Sequence, residues 1–320
     1  MEESLSSGES RSHVSSYERK WDARSSIRTR PLKLIDFSIE GDFFPADKQP
    51  LFLNDYVKSL GEETKKKILT YSLFKYLNDI TTLEIELINK ACSLVLYSDL
   101  NVKFRPEHKT SAYTILIDEY YHVYLAQLMK EQLAARDHTL NQLTFPVSDS
   151  YHAVKTVSNE LNDPYRNIFE VLAVCIFETT LVRELVEFFN SKDVHPSIKY
   201  YVNDHMNDES RHYGYFYELL EYTWNALSED YKTTIGFKLA RFVELYLNIE
   251  SDKAFNLSVI QSLLSDENNA QLIINEIYKD FAVTPEIPIV KNVINVLKKT
   301  GIMSNLAVQS GFKSIGWQID

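Results

Sequence analysis

The segment Asn203–His212, NDHMNDESRH, runs straight on into YGYFYELLEYTW, so its polar residues open what is otherwise an aromatic, leucine-rich helix. At about 100° per residue, His205, Glu209 and His212 fall at i, i+4 and i+7 and share one face. Turning three such groups into an apolar interior costs several kcal/mol unless something offsets the burial. Either this face looks at water or a bound cation compensates it.

Three further segments pose the same question. Val171, Val174, Cys175, Leu181, Val182 and Leu185 form a stripe at i, i+3, i+4 spacing with Glu178 in its middle. Leu77, Ile80, Leu87, Ile88 and Ala91 form a second stripe that contains Glu84, and Ile115, Leu116, Val123 and Ala126 bracket Glu119 and His122. A single Glu in such a stripe is ordinarily a rim residue or the partner of a Lys or Arg, and a single His a satisfied core histidine. Here each of four helices centres a carboxylate on its inward face, and two of them add His three residues later. Those are the parts of a two-metal carboxylate site in a four-helix bundle. Four carboxylates buried together raise one another's pKa values, whereas two divalent cations neutralise them. Neutral imidazoles add donors without charge, and the mixed oxygen and nitrogen set suits iron or manganese better than structural zinc. Asp118–His122 (DEYYH) and Asp208–His212 (DESRH) repeat the pattern Asp-Glu-x-x-His. Asp118 and Asp208 sit at the edge of the ligand face, placed to accept the spare N–H of an imidazole on the facing helix.

Composition agrees with helices. Only 8 of 320 residues are Gly, too few for a protein of tight hairpins. The formal net charge of −11 excludes general binding to nucleic acid or anionic membranes, and the basic residues from Arg19 to Lys33 read as part of a solvated tail. Cys92 and Cys175 lie in apolar runs and behave as buried hydrophobes, no apolar run reaches membrane-span length, and the Ser-rich start is no signal peptide. These features predict a cytoplasmic protein with a polar, disordered tail over residues 1–30 and a single domain over 31–320. Helices are predicted near 62–77, 80–99, 110–137, 165–190, 196–225, 229–250, 252–263, 266–281 and 286–299, with an irregular stretch over 138–164. The sequence contains no His-Glu-x-x-His, no Gly-x-x-x-x-Gly-Lys and no recognisable Ser or Cys nucleophile beside a base.

The spacing Glu84-x34-Glu119-x2-His122-x55-Glu178-x26-His205-x3-Glu209-x2-His212 resembles that of the ferritin-like non-haem di-iron N-oxygenases of the para-aminobenzoate N-oxygenase type, over roughly residues 60–215. The resemblance implies an all-α, ferritin-like four-helix bundle with additional flanking and C-terminal helices. It implies two iron ions as cofactor and O2 as co-substrate, with Glu84, Glu119, His122, Glu178, His205, Glu209 and His212 as ligands. His205 is the additional, seventh ligand that marks this subfamily. By the same resemblance Glu84 and His122 serve mainly one iron, Glu178, His205 and His212 the other, and Glu119 and Glu209 bridge. The implied reaction oxidises an amine, chiefly an arylamine, through hydroxylamine and nitroso stages to a nitro or other N-oxidised product of secondary metabolism. The implied partners are a small-molecule or carrier-tethered amine, an external electron donor (a ferredoxin or a reductase) and a second copy in a homodimer. Benzoate-type substrates imply an arginine in the C-terminal part, yet no Arg follows Arg241, which leaves Lys279, Lys291 or Lys298 as substitutes. Arg183 is predicted to turn away from the ligand face. C-hydroxylation or desaturation on the same cluster, and non-catalytic ferritin-like iron handling, are the competing functions.

Overall fold

The structure, a computed structural model, describes residues 13–180, 189, 191–264 and 267–319. Its long helices begin where local chemistry favours a start. Pro106, Pro164, Pro196 and Pro288 each occupy the first turn, where a missing N–H costs nothing. Ser148 and Asn305 accept hydrogen bonds from the first-turn amides of the helices they precede. In chain order the helices of nine or more residues among those described are α1 (His13–Arg24), α2 (Glu62–Leu83), α3 (Asn89–Tyr97), α4 (Pro106–Arg136), α5 (Asp149–Asn159), α6 (Asp163–Glu178) and α7 (Pro196–Ala226). Then follow α8 (Glu229–Tyr246), α9 (Glu250–Leu263), α10 (Glu267–Tyr278), α11 (Pro288–Lys299) and α12 (Leu306–Ser314). No described helix is long and apolar enough to cross a membrane.

Three of the predicted boundaries are corrected. The helices expected at 62–77 and 80–99 are one continuous run, because a π turn over Glu84–Ile88 joins α2 to α3. Asn78 and Asp79 do not break it, since Lys75 Nζ reaches Asp79 Oδ2 at 2.5 Å one turn on. The stretch 138–164 contains α5, which buries Ala153, Val154 and Val157 although most of its residues are polar. The expected tail is ordered from His13 onward: α1 buries Tyr17 and Trp21 against α4 and α7. The helix read over 165–190 is described to Glu178; Leu181, Val182, Leu185 and Arg183 lie outside the described residues.

The apolar interior falls into two clusters, and three of the four bundle helices pass from one to the other through a polar layer. Along α2 the residues from Ile68 to Ile80 belong to one cluster, and beyond Glu84 those from Leu87 to Val95 belong to the other. On α4, Ala112 and Ile115 lie in the second cluster, and beyond Glu119 and His122, Leu125 and Met129 lie in the first. Helix α7 runs from Ile198 and Val202 in the first, past His205, Glu209 and His212, to Tyr215 and Phe216 in the second. Helix α6 starts in the second cluster at Ile168 and ends at Glu178. All the anomalous polar residues therefore occupy one layer between two apolar halves. The order of crossing also gives the topology: α4 and α6 run in the same direction, so the chain must return along the bundle between residues 137 and 162. One long crossover of this kind is the mark of a ferritin-like bundle. Helix α8 packs on α5, α6 and α12, and α9 packs on α10 and α2, so the later helices flank the bundle.

The segment between α1 and α2 is fastened to the start of α7. Asp42 and Val194 form an isolated bridge, with Asp42 N 2.8 Å from Asp193 O and His195 N 2.7 Å from Asp42 O. A Cβ on Gly41 would lie 2.7 Å from His195 Cα, a backbone atom that cannot step aside. Gly41→Ala is expected to destabilise the protein by about 1–3 kcal/mol, read as a lower urea midpoint with the transition slope unchanged.

Candidate metal centre

The seven residues singled out from the sequence converge. Glu84, His122, His205 and Glu209 form one group, and Glu119, Glu178, Glu209 and His212 a second; within each, donor atoms lie within 4.8 Å of one another. All seven are buried. Glu84 reaches this layer from the first position of the π turn, and such turns recur in helices at functional sites. Glu119 Oε2 lies 3.1 Å from His122 Nδ1 while Glu119 Oε1 lies 3.0 Å from His212 Nδ1. Glu209 Oε1 lies 3.1 Å from His205 Nε2 while Glu209 Oε2 lies 3.3 Å from His212 Nδ1. Both carboxylates thus face the two groups at once.

One detail of the implied ligand set is corrected. His205 stands with Glu84 and His122 and not with Glu178 and His212: its Nε2 is 3.1 Å from Glu84 Oε1, and its ring centroid is 4.2 Å from that of His122. The cause is helical register. His205 lies a full turn before Glu209 on α7 and His212 nearly a turn after it, so the two imidazoles fall on opposite sides of the carboxylate.

Several donor atoms of this layer remain without hydrogen-bond partners. Glu84 Oε2, Glu119 Oε1, Glu178 Oε2, His205 Nδ1 and His212 Nδ1 are buried and unpaired. His212 Nδ1 comes close to two carboxylate oxygens without hydrogen-bond geometry to either. Side chains that crowd together yet leave their lone pairs unused fit a cation between them.

Without that cation the groups share protons. Burial and the charges of Glu209 and Glu119 push the Glu178 carboxyl well above its ordinary range, and burial with Glu119 raises Glu84. Burial also opposes the charge on His205, as does neighbouring His122, but hydrogen bonds to Glu209 and Glu84 prevail and raise it to about 9. His122 is likewise raised against the cost of burial by the carboxylates around it, and His212 by Tyr17 together with Glu209, Glu119 and Asp118. Glu209 goes the other way: His212 and His205 overcome its burial and hold it well below the ordinary range.

Behind this layer a second set of contacts orients two imidazoles. His122 Nε2 lies 3.1 Å from Asp208 Oδ2, and His212 Nε2 lies 3.3 Å from Asp118 Oδ2. Each Asp thus receives the imidazole of the other Asp-Glu-x-x-His helix. If each Nε2 carries the proton donated to Asp, each Nδ1 keeps its lone pair for the cluster. Sequence reasoning missed three residues that fix these carboxylates. Trp21 Nε1 donates to Asp118 Oδ1 at 2.8 Å, the Ser26 amide donates to Asp208 Oδ1 at 3.0 Å, and Arg211 pairs with Asp208 and reaches Asp118 Oδ2 at 3.4 Å. Burial opposes the Asp208 charge, but His122 and Arg211 bring its pKa down to about 2. The Arg within DESRH was a visible signal; Trp21 and Ser26 were not, because they lie some 180 residues or more than 90 residues away from their partners in sequence.

A cavity of about 350 Å³ adjoins the layer, reaching Glu84, Glu178, His205 and Glu209. Tyr76, Ile80, Leu83, Ile88, Phe177 and Met206 form its largely apolar wall, and Asp79 and Asp252 complete it. Among the described residues no Lys or Arg lines it; Lys279, Lys291 and Lys298 are exposed and elsewhere. A sequence model of the p-aminobenzoate N-oxygenase AurF family matches residues 3–268. The chain belongs to the AurF family. Its match exceeds the 60–215 span over which the ligand spacing alone is informative, and it takes in α1 with Trp21, while α11 and α12 lie beyond it. No curated protein matches the chain.

Proposed function

We propose that this AurF-family chain is an O2-dependent di-iron N-oxygenase that converts an amine, chiefly an arylamine, to a nitro or other N-oxidised product. The observation that carries this reading is the pair of buried donor groups that share Glu209 and open on one apolar cavity. Glu84, His122 and His205 would hold one iron, Glu178 and His212 the other, and Glu119 and Glu209 would span both. Four ionised carboxylates against two divalent cations leave the layer neutral, which a low-dielectric interior tolerates. Two bound iron ions would supply activation of O2 for transfer of oxygen to the amine nitrogen.

The chain's own residues do the rest. Asp118 and Asp208 hold the imidazoles of His212 and His122 in one tautomer and one orientation. Ile80, Leu83, Ile88 and Phe177 keep the cavity dry and shape it around a ring. An external electron donor is required to return the metals to the ferrous state. Anaerobic titration with ferrous iron should saturate near two ions per chain, and admitting O2 with a panel of amines should give N-oxidised products by mass spectrometry. Uptake of only a trace of iron, or oxygen found on carbon alone, would refute the reading. Trp21→Phe removes the N–H given to Asp118 while keeping an aromatic ring, and is expected to weaken iron binding about 10–100-fold without loss of helical content by circular dichroism.

A further inference from the structure

Accepting the N-oxygenase reading, the cavity also indicates what the rest of the substrate is made of. A p-aminobenzoate-like molecule with its amine at the cluster would carry its carboxylate to the opposite side of the cavity. Among the described residues, the charged groups of this cavity outside the cluster are acids. Asp79 and Asp252 line this cavity and also a neighbouring one of about 230 Å³, so they stand where the two meet. Lys75, which lines only the neighbouring cavity, is tied to both, with Nζ 2.5 Å from Asp79 Oδ2 and 2.9 Å from Asp252 Oδ1. Two carboxylates and one ammonium leave the junction net negative. Tyr76 lines both cavities as well, but its buried, unpartnered hydroxyl lies in the field of Glu84 and Glu209, toward the cluster. The junction therefore offers carboxylate acceptors to a ligand; among the described residues no Lys or Arg lines the cavity itself, and Lys75 beside it is already paired with both acids.

We propose that the cavity takes an arylamine whose far end carries a positive charge, with Asp252 and Asp79 as its anchor. The ring lies between Ile80, Leu83 and Phe177, whose apolar surfaces suit a single aromatic ring in about 350 Å³. A carboxylate in the same place would have to break the Lys75 pairs to find a partner, and would leave the half-buried Asp79 uncompensated. Specificity would thus arise as much from rejecting the anion as from holding the cation.

Three ligands of one shape test this: 4-(aminomethyl)aniline, p-toluidine and p-aminobenzoate, which place a cation, a methyl group and an anion at the same position. Titration calorimetry on the iron-loaded protein under anaerobic conditions reads binding without turnover. The cation is expected to bind about tenfold more tightly than p-toluidine, and p-aminobenzoate about tenfold less tightly. Asp252→Asn, at a half-exposed position, should remove most of the preference for the cation. An equal or tighter grip on p-aminobenzoate, or an Asp252→Asn variant with the preference intact, would overturn the proposal. A preference for p-aminobenzoate that disappears in Arg183→Gln would overturn it too, and would hand the anchor to that residue. The two levels separate cleanly: if the binding order holds but no amine is oxidised, the N-oxygenase reading fails, whereas oxidation that favours p-aminobenzoate defeats only the substrate class.

Discussion

Glu209→Ala should give a helical protein that retains neither iron at micromolar concentrations, whereas His205→Ala should lose one and keep the other. The difference follows from where each side chain stands. Glu209 belongs to both donor groups, with one oxygen toward His205 and the other toward His212. Its removal takes a ligand from each position and also uncouples the two. His205 belongs to one group only, beside Glu84 and His122. Loss of a partner that merely orients a ligand costs about 10–100-fold in metal affinity, so loss of a shared ligand should exceed that range at both positions. Turnover should fall below about one per cent in Glu209→Ala. In His205→Ala the remaining ion should sit with Glu119, Glu178 and His212. Anaerobic ferrous titration counts the ions, and circular dichroism confirms that the bundle survives. Two tightly held ions in Glu209→Ala, or the loss of both in His205→Ala, would mean that the grouping of donors is wrong.

That prediction depends on structure in a way the sequence could not supply. The ligand types were legible because burial makes them anomalous. A Glu or His in the middle of an apolar stripe demands a reason, and four such stripes share one economical reason. Helices α4 and α7 were legible for the same cause, since each carries a long periodic pattern around the polar layer. Periodicity says nothing, however, about which side of Glu209 faces which partner, and the pairing of His205 with Glu84 emerges only when α2 and α7 are set side by side. The π turn at Glu84–Ile88 was invisible because it inserts into a sequence, EIELI, that suits an α-helix equally well. α1 was misread for a different reason. Its residues HVSSYERKWDAR are mostly polar, and its order comes from tertiary contacts of Tyr17 and Trp21, not from its own propensity. The same holds for the acidic junction, where Asp79 and Asp252 are far apart in the chain and were unremarkable individually.

Removing the metal should reverse the direction in which pH acts on stability. In the metal-free protein His205 titrates at about 9 instead of 6.5, and His122 and His212 are also raised. A group whose folded pKa is raised contributes stability that is complete below its unfolded pKa and disappears as pH climbs through the folded one. For these imidazoles the window opens near 6.5 and, for His205, closes near 9. Glu84 and Glu178 are raised from 4.5 and act with the same sign, beginning at lower pH. Glu209 and Asp208 have the opposite sign, because their folded pKa values are depressed, and Asp208 falls to about 2. Their contribution is present above the unfolded values of 4.5 and 3.8 and is lost only in acid, so it is constant across the neutral range. The metal-free protein should therefore lose a few kcal/mol between pH 6.5 and 9, seen as a falling midpoint in calorimetric scans with chelator. With iron bound the sense inverts. Coordination needs neutral imidazoles and ionised carboxylates, so metal binding expels the shared protons and tightens as pH rises. The gain in midpoint on adding ferrous iron should grow from pH 6.5 to 9 while the chelated baseline sinks. Parallel curves with and without metal would show that these protons and the metal do not compete for the same atoms, and the layer would then be an ordinary buried ion-pair network.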